Sequence, residues 1–197
     1  MKKKGLLLGT EGVLCSTLPL HRQAWETVLT LNQLSTEGIS GMDAMTLSRP
    51  EGLDGLLAQS GTELSEAERE LLVNEKNNQY RQLLANIDAS SLLPGVESLL
   101  YDLRGEGWAL CLVTRSKNAI LILRQLGLDA AFDAVCDGND QLREERYLYA
   151  SHFLDLPPQK CVVWENIPAH LEEARKAGFQ TVRGNAEDVR RQLLQAV

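Results

Sequence analysis

Residues 4–17, KGLLLGTEGVLCST, restrict this chain more than any other stretch. The run Leu6-Leu7-Leu8 breaks at Gly9-Thr10-Glu11-Gly12 and resumes as Val13-Leu14. So short an apolar run beside a glycine-bracketed loop reads as a buried strand whose carboxyl end turns out of a sheet. In open α/β sheets that edge is where ligands bind. Gly12 reads as the residue of the turn. The basic start, Met1-Lys2-Lys3-Lys4, has the outline of a secretion signal. Glu11 and the glycines interrupt its apolar segment and no small-residue cleavage site follows, so the expectation is a cytoplasmic protein with a first strand.

Downstream the pattern turns helical and stays so as far as residue 92. Ala24, Val28 and Leu31 recur at helical spacing within 20–34, and Leu53, Leu56 and Leu57 mark a short helix that ends near Ser60-Gly61. Ser65 and Glu68 form a capping-box pattern ahead of a long helix carrying Leu72, Tyr80, Leu83, Leu84 and Ile87. From Leu93-Pro94-Gly95 onward helices and strands alternate. Helices are expected over 96–105, 117–126, 144–154, up to 177 and over 186–197; strands are expected over 109–114, 134–136, 161–164 and 181–182. The continuous apolar run at 109–113 suits a strand covered on both faces. This alternation implies an α/β, Rossmann-like parallel sheet flanked by helices. Residues 1–16 and 93–197 form that core domain, and 17–92 form a small helical domain inserted after the first strand.

A chain of 197 residues with 27 acidic and 20 basic side chains has a formal net charge of -7. That balance argues against nucleic acid as the partner, since phosphate-backbone binding needs an excess of Lys and Arg on one face. No other run approaches a membrane span, so a membrane partner is not expected either. Cys15, Cys111, Cys136 and Cys161 are far apart, and three lie in strand-like runs. They read as small buried hydrophobes and not as a metal or disulfide framework.

The opening stretch resembles the first motif of the haloacid dehalogenase superfamily, a hydrophobic strand followed by Asp-x-Asp-Gly. In that family the first Asp is the phosphoryl-accepting nucleophile and the second the acid/base. Here Gly9 and Glu11 hold those positions. The resemblance continues along the chain. Thr114 takes the place of the second-motif Ser/Thr that binds the phosphoryl group. Arg143, in Arg143-Glu-Glu-Arg-Tyr-Leu-Tyr149, takes the place of the third-motif Lys, with both prolines gone. Glu165-Asn166 stands where two acidic residues hold magnesium. The likeness is strongest to the β-phosphoglucomutase-like subfamily, whose small helical cap is inserted after the first motif. His21 with Trp25 fits its His-x-x-x-Trp pattern, Leu47-Ser48-Arg49 its Val-Ser-Arg turn, Lys76-Asn77 with Tyr80 its Lys-Asn-x-x-Tyr, and Ser116-Lys117-Asn118 its Ser-Lys-Asn.

The resemblance implies sugar-phosphate contacts from His21, Trp25, Ser48, Arg49, Lys76, Asn77, Ser116, Lys117 and Asn118, around a dismantled reaction centre. Transfer through an aspartyl-phosphate needs a carboxylate in line, and Gly9 has no side chain. Thr10 is expected to point away, since side chains alternate along an extended segment. A Mg2+ site made of Glu165 and Asn166 would be weak or lost, because the ion wants more oxygen ligands than these offer. Each match has a plainer reading. Arg49, Lys76 and Lys117 also read as solvated surface charges. Trp25 suits core packing as well as ligand contact, and Glu165 suits an anchor that touches no metal as well as a metal ligand. His152 and His170 sit in no motif and read as structural or exposed. The leading reading is a catalytically impaired, β-phosphoglucomutase-like protein that binds a sugar phosphate or similar phosphorylated small molecule between cap and core. One alternative is an active phosphatase or phosphomutase of low activity in which Glu11, Thr114, Arg143 and Glu165 sustain weak chemistry. The other is a non-enzymatic interaction module.

Overall fold

The computed structural model describes residues 4–42, 51–139 and 145–195. The chain divides into two compact units, one built from Met1–Ser16 with Asp88–Val197 and the other from Thr17–Ile87. The first unit carries a five-stranded sheet in the order β3-β2-β1-β4-β5. Its strands are β1 (Gly5–Leu8), β2 (Ala109–Val113), β3 (Ala134–Cys136), β4 (Cys161–Trp164) and β5 (Gln180–Val182). Every pairing is parallel. Leu6, Leu7 and Leu8 have no exposed surface, which suits a central strand covered on both faces. The chain runs from β1 outward to β3, then returns to the other side of β1 as β4. The strand order therefore reverses at β1, and the carboxyl ends of β2, β1 and β4 make the crevice where such sheets bind ligands.

The helical unit holds α1 (Leu18–Leu31), α2 (Glu51–Ser60) and α3 (Glu66–Leu84). Trp25, Val28, Leu29, Ile39, Leu53, Leu56, Leu57 and Leu72 form its apolar core. Full burial of each large side chain contributes about 1.5–3 kcal/mol. Helix α1 stops at Leu31, earlier than the expected 34, because Gln33 takes a φ of 57° and the Leu34 amide turns back to the Leu29 carbonyl. Helix α3 begins on the capping box legible in the sequence. The Ser65 side chain accepts from the Glu68 amide, and the Ser65 amide donates to the Glu68 carboxylate at 2.7 Å. The chain re-enters the α/β unit at Asp88, ahead of the expected 93. The short turn Ala89–Ser91 that follows buries none of its side chains.

Among the described residues five helices flank the sheet: α4 (Val96–Gly105), α5 (Ala119–Gln125), α6 (Arg146–Phe153), α7 (Pro168–Lys176) and α8 (Ala186–Gln195). Helix α5 starts at Ala119 and not at Lys117, since Ser116 Oγ accepts from the Asn118 amide at 3.1 Å and keeps 116–118 in a polar turn. The four cysteines are free and buried. Cys111 and Cys136 face each other on neighbouring strands at 3.8 Å, and burial pushes the Cys15 thiol up to about 12, so it behaves as a hydrophobe and not as a nucleophile. Among the described residues no helix is long and apolar enough to cross a membrane.

Candidate active site

Parallel register brings the site together. Leu8 pairs with Leu112 on one side and Trp164 on the other, so the same register sets Gly9 level with Val113, one residue before Thr114, and with Glu165. The Gly9 amide donates to the Trp164 carbonyl at 3.1 Å. The chain then turns at Gly12, whose φ of 68° is one that a side chain would strain. Thr10 is buried and its carbonyl accepts from the amides of Val13, Leu14 and Cys15, which closes the turn. Glu11 remains partly exposed, accepting from Ser16 Oγ at 3.0 Å.

The decisive feature is what fills the space beside Gly9. A Cβ there would meet Glu165 Oε1 at 2.5 Å, Cδ at 2.6 Å and Oε2 at 2.8 Å. The Glu165 carboxylate thus occupies the volume that a side chain at position 9 would need, and it is only 2% exposed. Its Oε1 accepts from Tyr147 Oη at 3.4 Å and lies 3.0 Å from His170 Nδ1; its Oε2 accepts from the Asn166 amide at 3.2 Å. Carboxylate oxygens accept, so His170 Nδ1 carries the proton of this bond. Burial, and then the Glu165 charge, push the Tyr147 phenol up, which keeps it a donor. Asn166 is tied just as fully. Nδ2 donates to the carbonyls of Gly12 and, at 3.2 Å, Gly184, while Oδ1 accepts from the Gly184 amide at 2.8 Å.

On the β2 side, Thr114 Oγ1 accepts from the Ser116 amide at 3.2 Å, which together with the Ser116–Asn118 contact folds 114–118 into two successive side-chain turns. Lys117 is exposed on this loop. Arg115 points elsewhere, to Glu173 Oε2 at 3.2 Å, an oxygen that also accepts from the buried Arg146 at 2.8 Å. Arg146 in turn sits over the Tyr147 ring, 4.9 Å from its centroid. A polar network therefore links the ends of β2 and β4 through α6 and α7. Of its members, Tyr147, Arg146, Glu173 and His170 carry no role in the sequence reading. Only Pro168 hints at one of them: by opening α7 it sets His170 in the first turn, next to the strand that ends at Glu165.

The model of the family described as haloacid dehalogenase-like hydrolase matches residues 4–178. The chain belongs to that family. The β-phosphoglucomutase of Bacillus subtilis (strain 168) is 28% identical over 185 residues, covering 91% of this chain and 82% of that one. The fructose-1-phosphate phosphatase YqaB of Escherichia coli (strain K12) is 29% identical over 191 residues, covering 90% and 94%. Among solved structures, the β-phosphoglucomutase of Clostridium difficile superposes with a TM-score of 0.77 at 28% identity, covering 96% of this chain and 88% of that one. This haloacid dehalogenase-like chain is thus of the β-phosphoglucomutase-like kind, and its relatives include phosphatases and phosphomutases of phosphorylated sugars.

Within the helical unit the residues singled out by the motifs hold one another. Lys76 Nζ lies 3.0 Å from His21 Nδ1, His21 stacks on Tyr80 with ring centroids 3.8 Å apart, and Lys76 sits 5.1 Å from the Trp25 centroid. Burial lowers Lys76 to about 8; burial and the Lys76 charge lower His21 to about 2. Trp25 is fully buried in the apolar core, while Asn77 is exposed. Ser48, Arg49 and Arg143 lie outside the described residues.

The family's Mg2+ does not fit the donor set of this haloacid dehalogenase-like chain. A hard cation of this size needs near-octahedral oxygen ligation with carboxylates among the ligands. Gly9 offers no side chain, Asn166 spends its oxygen on Gly184, and the Glu165 carboxylate is held by Tyr147, His170 and the Asn166 amide. Among the described residues no group of three or more His, Cys, Asp or Glu side chains is arranged to hold a metal.

Proposed function

We propose that the chain binds a phosphorylated sugar, or a phosphorylated small molecule of like size, at the carboxyl edge of the sheet, without passing the phosphoryl group through a protein carboxylate. The observation that carries this reading is the Glu165 carboxylate in the volume of a position-9 side chain. An in-line nucleophile is absent and its place is taken. The binding half rests on the loop 114–118, where the Thr114 and Ser116 hydroxyls accept from loop amides and keep their own protons for an anion, beside the exposed Lys117. The choice of ligand class rests on the relatives, which are named for a phosphoglucose and for fructose 1-phosphate.

Thermal melts with fructose 1-phosphate and glucose 1-phosphate, beside the unphosphorylated sugars, test it. A ligand at a hundred times its Kd stabilises the folded state by about 2.7 kcal/mol, a rise of roughly 5–10 °C for a chain of this size. Lys117→Ala should remove most of that rise and leave the ligand-free melt unchanged, because its side chain is exposed. Equal melts with and without every sugar phosphate refute the reading and favour the interaction module. A second reading, slow turnover with Glu11 as acid/base, is favoured by the partial exposure of that carboxylate in the first loop. It requires phosphate release that Glu11→Ala abolishes.

A further inference from the structure

We infer that His170 and Tyr147 have taken over at Glu165 the place that a divalent cation holds in the family, turning a cation-dependent centre into one closed by protein groups alone. The inference goes beyond the sugar-phosphate reading and stands or falls separately from it.

Space, hydrogen-bonding capacity and charge lead there independently. As Glu165 sits, a Cβ at position 9 would lie 2.5–2.8 Å from its carboxylate atoms, so a side chain there and this placement of the carboxylate exclude one another. Of the lone-pair positions on its two oxygens, three already have partners: His170 Nδ1 and Tyr147 Oη on Oε1, and the Asn166 amide on Oε2. A buried carboxylate without such partners would be strongly disfavoured, so these donors are what permit Glu165 to stay inside at 2% exposure. The guanidinium of Arg146 backs the arrangement, with Nη2 3.5 Å from Tyr147 Oη and 2.8 Å from Glu173. The neighbouring position is closed in the same way. Both hydrogens of Asn166 Nδ2 go to backbone carbonyls, and a carboxylate there would face those oxygens instead. His170 and Tyr147 are therefore positioning residues, which hold Glu165 where metal coordination would otherwise hold it.

Mn2+ is the probe, followed by the resonance signal of the free ion and by thermal melts in Mn2+ or in EDTA. The parent protein should remove no Mn2+ from solution through Glu165, so uptake is nil or unchanged in Glu165→Gln, and its melt should be the same in either buffer. Uptake by the parent that disappears in Glu165→Gln overturns the inference. The second arm uses His170→Ala, which leaves Glu165 short of a donor. It should melt below the parent in EDTA and recover in Mn2+, whereas His170→Asn, which restores an N–H donor, should melt near the parent in both. Loss of stability in His170→Ala without recovery by the cation overturns the substitution of cation by histidine. Sugar-phosphate melts of the parent report on the proposed function alone, so the two can fail independently.

Discussion

Asn166→Asp restores a family-like carboxyl at the fourth motif, and the structure predicts that it harms the protein. In the parent, Nδ2 donates to the carbonyls of Gly12 and Gly184 while Oδ1 accepts from the Gly184 amide. A carboxylate keeps the last contact and loses the other two, each worth about 0.5–1.5 kcal/mol net. It also sets negative charge against two carbonyl oxygens and beside the buried Glu165, which leaves part of the desolvation cost of those groups uncompensated. The sum is a loss of about 2–4 kcal/mol, or roughly 5–12 °C in the melting temperature of a chain this long. The assay is thermal and urea unfolding of parent and variant at pH 7 in EDTA. Those neighbours hold the introduced carboxyl above its unfolded value, so the ionisation penalty is full above that raised value, shrinks as pH falls towards about 4 and is gone below it. A variant that melts with the parent at pH 7 without cation refutes the reasoning, since the Asn166 contacts would then hold nothing in place.

Three further outcomes follow from the helical unit. Because burial lowers Lys76 to about 8, the unfolded chain binds the extra proton above that pH, so stability of the unit should rise by about 1.5 kcal/mol between pH 8 and 9.5 and stay flat in Lys76→Met. His21, lowered to about 2, stays neutral in the folded state, so stability should fall as pH drops below 6.5, which urea titrations at several pH values will show. Ser65→Ala removes the capping box of α3 and should cost about 1 kcal/mol, with faster hydrogen exchange confined to the first turn of that helix.

The elements were legible because their signals are local. The leucine run before Gly9 carries β1, the strand-helix alternation after residue 93 carries the parallel sheet, and Ser65 with Glu68 announces α3 three residues apart. The motif register also places Gly9, Thr114 and Glu165 at successive strand ends, where the sheet sets them side by side. What the sequence withheld is the wiring. Glu165 and His170 are joined across a strand-to-helix turn, and Arg146 and Glu173 meet from two helices. No periodicity records such contacts. A missing nucleophile shows in the sequence as Gly9, but that a neighbouring carboxylate fills the vacated volume depends on a side-chain conformation, which only packing decides. Trp25 is ambiguous for the same reason: a large aromatic serves a core or a ligand equally well until its surroundings are known.

The most direct test of the central claim is phosphate release from fructose 1-phosphate by the purified protein with Mg2+, beside Glu11→Ala. With Gly9 at the nucleophile position and Glu165 closed in by its neighbours, the account predicts no release above the Glu11→Ala background. Sustained turnover by the parent that Glu11→Ala abolishes would contradict it and make this chain a working phosphatase that needs no aspartate at position 9.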